Sequence, residues 1–245
     1  MVPAPLELGP IPHLSGNHSP RGARRGSFGS TGVVAHHFCP LLRRLFPAVT
    51  LAEVSVAAVI LAAGAGTRFN REHPESSPGA KLLAKARGKP LIEWAIAPAV
   101  EAELDELVVV CGAADLSGVV PESATLLRND DWALGQATSL RVAIDWCARQ
   151  GHLSAVVGLG DLPGLTAEAW RTVASARGGP IVFATYHGCR GHPVRLDAEI
   201  WSLLPISGEE GARSLARRRP ELVTEVACEG TTADIDTQED LRRWS

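Results

Sequence analysis

The sequence lacks the features that would place it quickly. Its five cysteines (Cys39, Cys111, Cys147, Cys189, Cys228) stand singly with no C-x-x-C pair, which excludes a zinc knuckle, a redox dithiol and a disulfide framework. No apolar run approaches the roughly 18 to 20 residues of a membrane helix, so no membrane role is expected. Charge of one sign is also scarce: 24 Lys and Arg against 27 Asp and Glu leave a net charge of −3 and no broad basic field for a nucleic-acid partner. No G-x-x-x-x-G-K-[ST] occurs, so there is no P-loop, and no Ser-His-Asp or Cys-His set stands out. The expectation is a cytoplasmic protein, with no nucleic-acid partner indicated by overall charge and no membrane span.

The first fifty or so residues have their own composition. They are rich in Pro, Gly, Ser and His, carry Arg21, Arg24, Arg25, Arg43 and Arg44, and have Glu7 as their only acid. Such a stretch buries too little apolar surface to offset its ordering entropy, so residues 1–52 are read as a disordered extension. The alternatives are an organelle transit peptide and a translation start near Val54 or Val56. Residues 53–245 are expected to be the folded domain.

From Ser55 the pattern becomes regular. Short β-branched runs at Ser55 to Leu61, Glu106 to Cys111, Ala155 to Leu159 and Pro180 to Tyr186 alternate with helix-length segments at Pro90 to Glu101, Leu134 to Arg149 and Thr166 to Ala176. Runs such as VAAVILAA and LVVVC, apolar on both faces, belong inside a mostly parallel sheet covered by helices on each side. The expectation is a three-layer α/β/α Rossmann-like domain with its ligand at the carboxyl ends of the strands, where strand order reverses.

The first strand ends in VILAAGAGTRF, Val59 to Phe69. A dinucleotide fingerprint needs a small residue where Phe69 stands and an acid about twenty residues on, and has neither. What remains is a glycine loop followed by Arg68 and later Lys81: backbone amides that can approach an anion closely, with two cations to neutralise a triphosphate. A second loop, Gly158-Leu159-Gly160-Asp161-Leu162-Pro163, puts a carboxylate at the same sheet edge, where a hard cation bound to phosphate oxygens would sit. Each loop alone also reads as an ordinary turn.

The ordered set LAAGAGTRF, Lys81-Leu82-Leu83, Gly88-Lys89-Pro90-Leu91, Asn129 with Trp132 and Gly135-Gln136-Ala137-Thr138-Ser139-Leu140, Gly160-Asp161-Leu162-Pro163, Gly191-His192-Pro193-Val194 and Asp234-Ile235-Asp236-Thr237 resembles the molybdenum cofactor cytidylyltransferase family, within the wider MobA-like nucleotidyltransferases, over residues 55–245. The resemblance implies a Mg²⁺-dependent transfer of a nucleoside monophosphate, CMP from CTP favoured, to a phosphorylated pterin. A molybdoenzyme would be a downstream partner. It implies nucleotide binding by Leu61, Ala62, Ala63, Gly64, Gly66, Arg68, Lys81, Asn129, Gly135 and Ser139, with Arg68, Lys81 and Asp161 catalytic. Asp161, Asp234 and Asp236 would lie on the metal side and His192 on the acceptor side. The Ala62-Ala63-Gly64 run looks more like the cytidylyl branch than the guanylyl branch, whose loop usually has Gly-Gly there to make room for a purine. Other acceptors (a sugar phosphate, phospholactate), GTP as donor, and a non-catalytic nucleotide-binding chaperone that delivers a cofactor are the other readings.

One departure stands out. In the family the lysine follows the arginine within about five residues; here residues 69–80 intervene, polar and interrupted by prolines, and are expected to form a flexible flap, with Arg71 substituting for or supplementing Lys81. Elsewhere the expectations are plain. Glu209 and Glu210 open a helix whose far end carries Arg217 to Arg219; Asp234 and Asp236 face one side of an extended segment; and Trp94, Trp146, Trp170 and Trp201 pack in or against the core.

Overall fold

The computed structural model describes residues 55–72 and 77–245. The extension 1–52 lies outside the described residues. The elements in chain order are β1 (Val56–Ala62), α1 (Ala80–Leu83), β2 (Lys85–Ala86), β3 (Lys89–Pro90), α2 (Leu91–Glu101), β4 (Glu106–Cys111), β5 (Thr125–Arg128), α3 (Gln136–Gln150), β6 (Ser154–Leu159), α4 (Ala167–Ser175), β7 (Ile181–Tyr186), β8 (Cys189–Asp197), α5 (Gly211–Arg218), β9 (Val223–Ala227) and α6 (Gln238–Trp244). Among the described residues no helix is long and apolar enough to cross a membrane.

Seven strands form one sheet in the order β5-β4-β1-β6-β8-β7-β9, and β2 pairs with β3 as a separate ribbon. β1 is parallel to both β4 and β6, β4 to β5, and β7 to β9; only β8 runs against its neighbours β6 and β7. The chain moves outward from β1 through β4 to β5, then crosses back to lay β6 on the other side of β1. The reversal of strand order therefore falls between β1 and β6, the place where open α/β sheets bind ligands.

Alternation along β1 shows how the layers are built. Ala57, Val59 and Leu61 point into one apolar cluster with Leu140, Ile144 and Cys147 of α3 and Leu215 of α5. Ala58, Ile60 and Ala62 point into the other, with Ile92 and Ile96 of α2 and Trp170 and Val173 of α4. A period-2 strand buried on both faces explains why the run reads as continuously apolar in the sequence. Gly158 of β6 is part of this packing: a Cβ there would meet the Trp170 ring at 2.7 Å, so the missing side chain makes room for a fully buried indole.

Two features were not legible as elements. β5 and β9 are short and half-buried, with too little apolar contrast to stand out. The 69–80 segment is also less free at its ends than expected for a flap. It begins with a 3₁₀ turn, Phe69–Glu72, whose Phe69 is buried in a third cluster with Leu91, Ile235 and Leu241. It returns where the Gly79 amide donates to the Ala65 carbonyl at 2.8 Å. Gly79 has φ +81°, and a Cβ on it would lie 2.6 Å from that of Ala114, so only glycine closes the stem there.

Candidate active site

A cleft of about 660 Å³ opens at the carboxyl ends of β1 and β6. Its floor is the backbone of residues 61–68, which leaves β1 and turns across the sheet edge. The amides of Gly64, Ala65, Gly66, Thr67 and Arg68 donate to no carbonyl or side chain among the described residues. Such a row of uncommitted N–H groups facing a cleft is an anion cradle. The amino end of α3 borders the same cleft through Gly135, Gln136 and Ser139 and adds the positive end of its dipole.

Lys81 reaches the cleft despite the insertion. The stem closure at Gly79 brings α1 directly beneath the loop, and Gly66, at φ +66°, leaves the space through which the lysine stem passes. The buried Lys81 Nζ lies 2.7 Å from Asp161 Oδ2 and 3.0 Å from Asp236 Oδ1. Burial alone would lower its pKa, but the two carboxylates outweigh that and hold it above the ordinary lysine value, so it is charged at neutral pH. Burial likewise pushes the Asp236 carboxyl up, and hydrogen bonds from Lys81 and Arg68 bring it below the usual range. Arg68 donates to Asp236 Oδ2 at 2.5 Å from the solvent side.

The Asp161 loop and the C-terminal segment are held to each other by backbone: the Gly160 amide donates to the Leu61 carbonyl at 2.9 Å, and the Ile235 amide to the Asp161 carbonyl at 3.1 Å. Ile235 is buried under Phe69, which turns Asp236 into the cleft. Asp234 does not share that direction; it is exposed and does not line the cleft, because the segment is not a regular strand whose alternate residues point one way.

Most of the residues singled out in the sequence line this cleft: Leu61, Ala62, Ala63, Gly64, Gly66, Arg68, Lys81, Gly135, Ser139, Asp161 and Asp236. Asn129 stands behind it. Its Nδ2 donates to Thr138 Oγ1 and Ser139 Oγ at 2.9 Å each and its Oδ1 accepts from the Asp131 amide at 3.0 Å, so it braces the wall that carries Ser139. His192 lies in a smaller adjoining pocket with its Nδ1 3.0 Å from the Val157 carbonyl. Thr67, Trp132, Gln136 and Glu209 also line the cleft. Glu209 read as a helix-opening acid; nothing local in the sequence signals that the loop before α5 folds back onto the cleft, where the Ala137 amide bonds to the Gly208 carbonyl at 2.9 Å.

In all, two cations (Arg68, Lys81) face three carboxylates (Asp161, Asp236, Glu209) around the amide cradle. Asp161 and Asp236 both contact the Lys81 ammonium from the cleft, and they are the carboxylates here that could hold a divalent cation. Among the described residues no group of three or more His, Cys, Asp or Glu side chains forms a metal site, so an ion held by Asp161 and Asp236 would take its other ligands from outside the protein.

Fold and cleft together define a nucleotidyltransferase-type α/β domain. Residues 58–223 match the MobA-like NTP transferase domain, and the chain belongs to that family. Over 203 residues it is 33% identical to nicotine blue oxidoreductase of Paenarthrobacter nicotinovorans, covering 77% of this chain and 95% of that protein. Among solved structures it is similar to the Rv0371c homologue from Mycobacterium sp. strain JC1 (TM-score 0.65, 27% identity, 77% of this chain and 93% of that one). A nucleotidyl transferase from Methanothermobacter (TM-score 0.65, 23% identity, covering 77% and 95%) shares the fold.

Proposed function

We propose that the protein transfers a nucleoside monophosphate, CMP from CTP favoured, to the terminal phosphate of a phosphorylated pterin of the molybdopterin type, with release of pyrophosphate. The observation that carries this reading is the convergence of the 62–68 amide loop, Lys81, Asp161 and Asp236 on one cleft at the switch point of the sheet. The loop amides hold the triphosphate. Arg68 and Lys81 neutralise the charge that builds on the oxygens around the α-phosphorus as an acceptor oxygen approaches in line and pyrophosphate departs. Because the acceptor is already an anion, no strong general base is required. Ser139, kept in place by Asn129, has its hydroxyl hydrogen available to the ligand. Asp161 and Asp236 would hold Mg²⁺, which supplies Lewis-acid stabilisation of the phosphates when bound. Preference for CTP rests on the Ala62-Ala63 pair, which stands where the guanylyl branch usually has Gly-Gly.

A second reading is favoured by one observation, the oxidoreductase name of the relative that matches along nearly its whole length. Against it stands the geometry after the loop. A dinucleotide fingerprint opens directly into a helix, whereas here Phe69 turns into the core and a 3₁₀ turn follows.

Pyrophosphate release from CTP, GTP and ATP, each with and without molybdopterin, tests the proposal. CTP- and acceptor-dependent turnover is expected, lowered at least about a hundredfold by Asp161→Ala. Absence of pyrophosphate with every pair, alongside oxidation of a reduced nicotinamide dinucleotide, would transfer the case to the second reading.

A further inference from the structure

Along the outer side of α2 runs an open groove of about 500 Å³, closed on its other side by residues 118–121, and it shares no lining residue with the cleft. α2 buries Leu91, Ile92, Ala95, Ile96 and Ala99, yet only two of its eleven residues, Glu93 and Glu101, are charged. A helix covered on one side alone carries polar groups on the other. Here the uncovered side includes Trp94, Ala97 and Val100, the last 45% exposed, and Val119, Val120 and Pro121 continue the apolar surface across the groove.

Trp94 is a fixed anchor in this surface. Its Nε1 donates to the Ala86 carbonyl at 3.0 Å, its ring meets that of Trp244 edge-on with centroids 5.1 Å apart, and Lys89 Nζ lies 5.5 Å from its centroid. With the indole N–H already satisfied, the ring surface left in the groove is apolar, and a rigid aromatic of this kind is what anchors protein interfaces. The charges of the groove are ordered along it. Lys89 stands just before the amino end of α2 and Glu101 is the last residue of the helix; neither is ion-paired among the described residues.

We infer that this groove is a two-fold interface between two copies of the chain, with α2 packed antiparallel on its mate. A two-fold contact must be complementary to itself, because each patch meets the same patch reversed. The groove meets that condition. At about 1.5 Å per residue α2 spans roughly 16 Å, so reversing one copy lays Lys89 of one protomer beside the partner's Glu101 at one end and repeats the pair at the other. Ala97, exposed near the middle, is small enough to let the two helices close to packing distance, about 8 to 10 Å, and brings both copies of Trp94 and Val100 into one apolar centre. An unrelated partner would not require the groove to carry its own counter-charges at opposite ends. Lys89 belongs to the Gly88-Lys89-Pro90-Leu91 run, none of which lines the cleft, so the interface leaves the chemistry of the cleft untouched.

The test is sedimentation of the full chain over a concentration series reaching the hundred-micromolar range, with a charge swap to fix the register. Wild type is expected to dimerise. Lys89→Glu and Glu101→Lys should each weaken the dimer at least about tenfold by setting like charges opposite each other, and the double variant Lys89→Glu/Glu101→Lys should recover most of the loss. Val100→Asp should weaken the dimer without a compensating partner. All four positions are exposed or at the groove edge, and unchanged circular dichroism shows that the fold is intact; should Lys89→Glu not fold, Glu101→Lys and Val100→Asp decide the matter. A chain that stays monomeric at the highest concentration overturns the inference. So does a dimer indifferent to these substitutions, which would form through another face, and so does a double variant whose losses add, which would remove the antiparallel register.

Discussion

A Cβ at position 66 would lie 2.9 Å from the Cβ of Lys81, closer than such atoms approach. Gly66 thus serves twice, adopting a positive φ and yielding its side-chain volume to the lysine stem. Gly66→Ala is expected to displace Lys81 and weaken MgCTP binding at least tenfold by calorimetry. Backbone strain should cost only about 1 kcal/mol of stability. Unchanged CTP affinity would mean that the cradle tolerates a shifted lysine.

Lys81→Met removes the cation between Asp161 and Asp236. Turnover should fall about a hundredfold or more, on the scale of losing a preorganised electrostatic group. Without nucleotide the variant should also unfold at lower urea, since two carboxylates then face each other unpaired. Magnesium should restore part of that loss if the carboxylates share the ion, and a variant whose midpoint ignores magnesium would argue against a shared site.

Asn129 is a positioning residue. Asn129→Ala leaves Thr138 and Ser139 without their common donor, and a stability loss of about 1 to 3 kcal/mol is expected. Its kinetic signature should be a raised KM for the nucleotide with a smaller change in kcat. The reverse split would place Asn129 in the chemistry itself.

At the amino edge of the sheet, opposite the cleft, Glu106 accepts hydrogen bonds from His152 Nε2 at 2.6 Å, Thr125 Oγ1 at 2.7 Å and Trp146 Nε1 at 2.9 Å, and Ser55 Oγ lies 2.7 Å from His152 Nδ1. Burial would raise the Glu106 pKa, but these donors hold it below its ordinary value. A carboxyl lowered in the fold contributes stability above its unfolded pKa, near 4.5, and loses that contribution as pH falls through the folded value. Glu106→Gln should therefore be less stable than wild type by about 1 to 3 kcal/mol at pH 7, with the gap narrowing below about pH 4. Urea midpoints at the two pH values measure this, and a gap that does not change with pH would remove the carboxylate charge from the explanation.

Trp170→Ala should cost about 3 to 5 kcal/mol, the range for emptying a large aromatic site. Trp170→Phe should cost less than half of that, because the buried indole N–H finds no acceptor among the described residues and its removal offsets part of the lost contact. Denaturant melts of the two variants give the comparison.

The layered fold was legible because β1 and β4 are apolar on both faces and a helix-length segment follows each of several strands. The cleft was legible where the chemistry is local, as in the glycine loop and the Gly160-Asp161 turn. What escaped depends on long-range packing. Whether Lys81 reaches the cleft is decided by the contact of Gly79 with Ala65, fourteen positions apart, and by Ala114, which a linear reading cannot bring near. Asp234 and Asp236 look alike in sequence; burial of Ile235 under Phe69 sends only the second inward. The Glu106 network joins the starts of three strands to a histidine far along the chain, and no spacing rule announces it.

Because the excursion after Arg68 departs and rejoins the body at neighbouring points, its contour length is decoupled from the distance its ends must span. Changes of length between Glu72 and Ser77 should therefore leave the lysine beyond it in place, because its position is set by the Gly79–Ala65 closure.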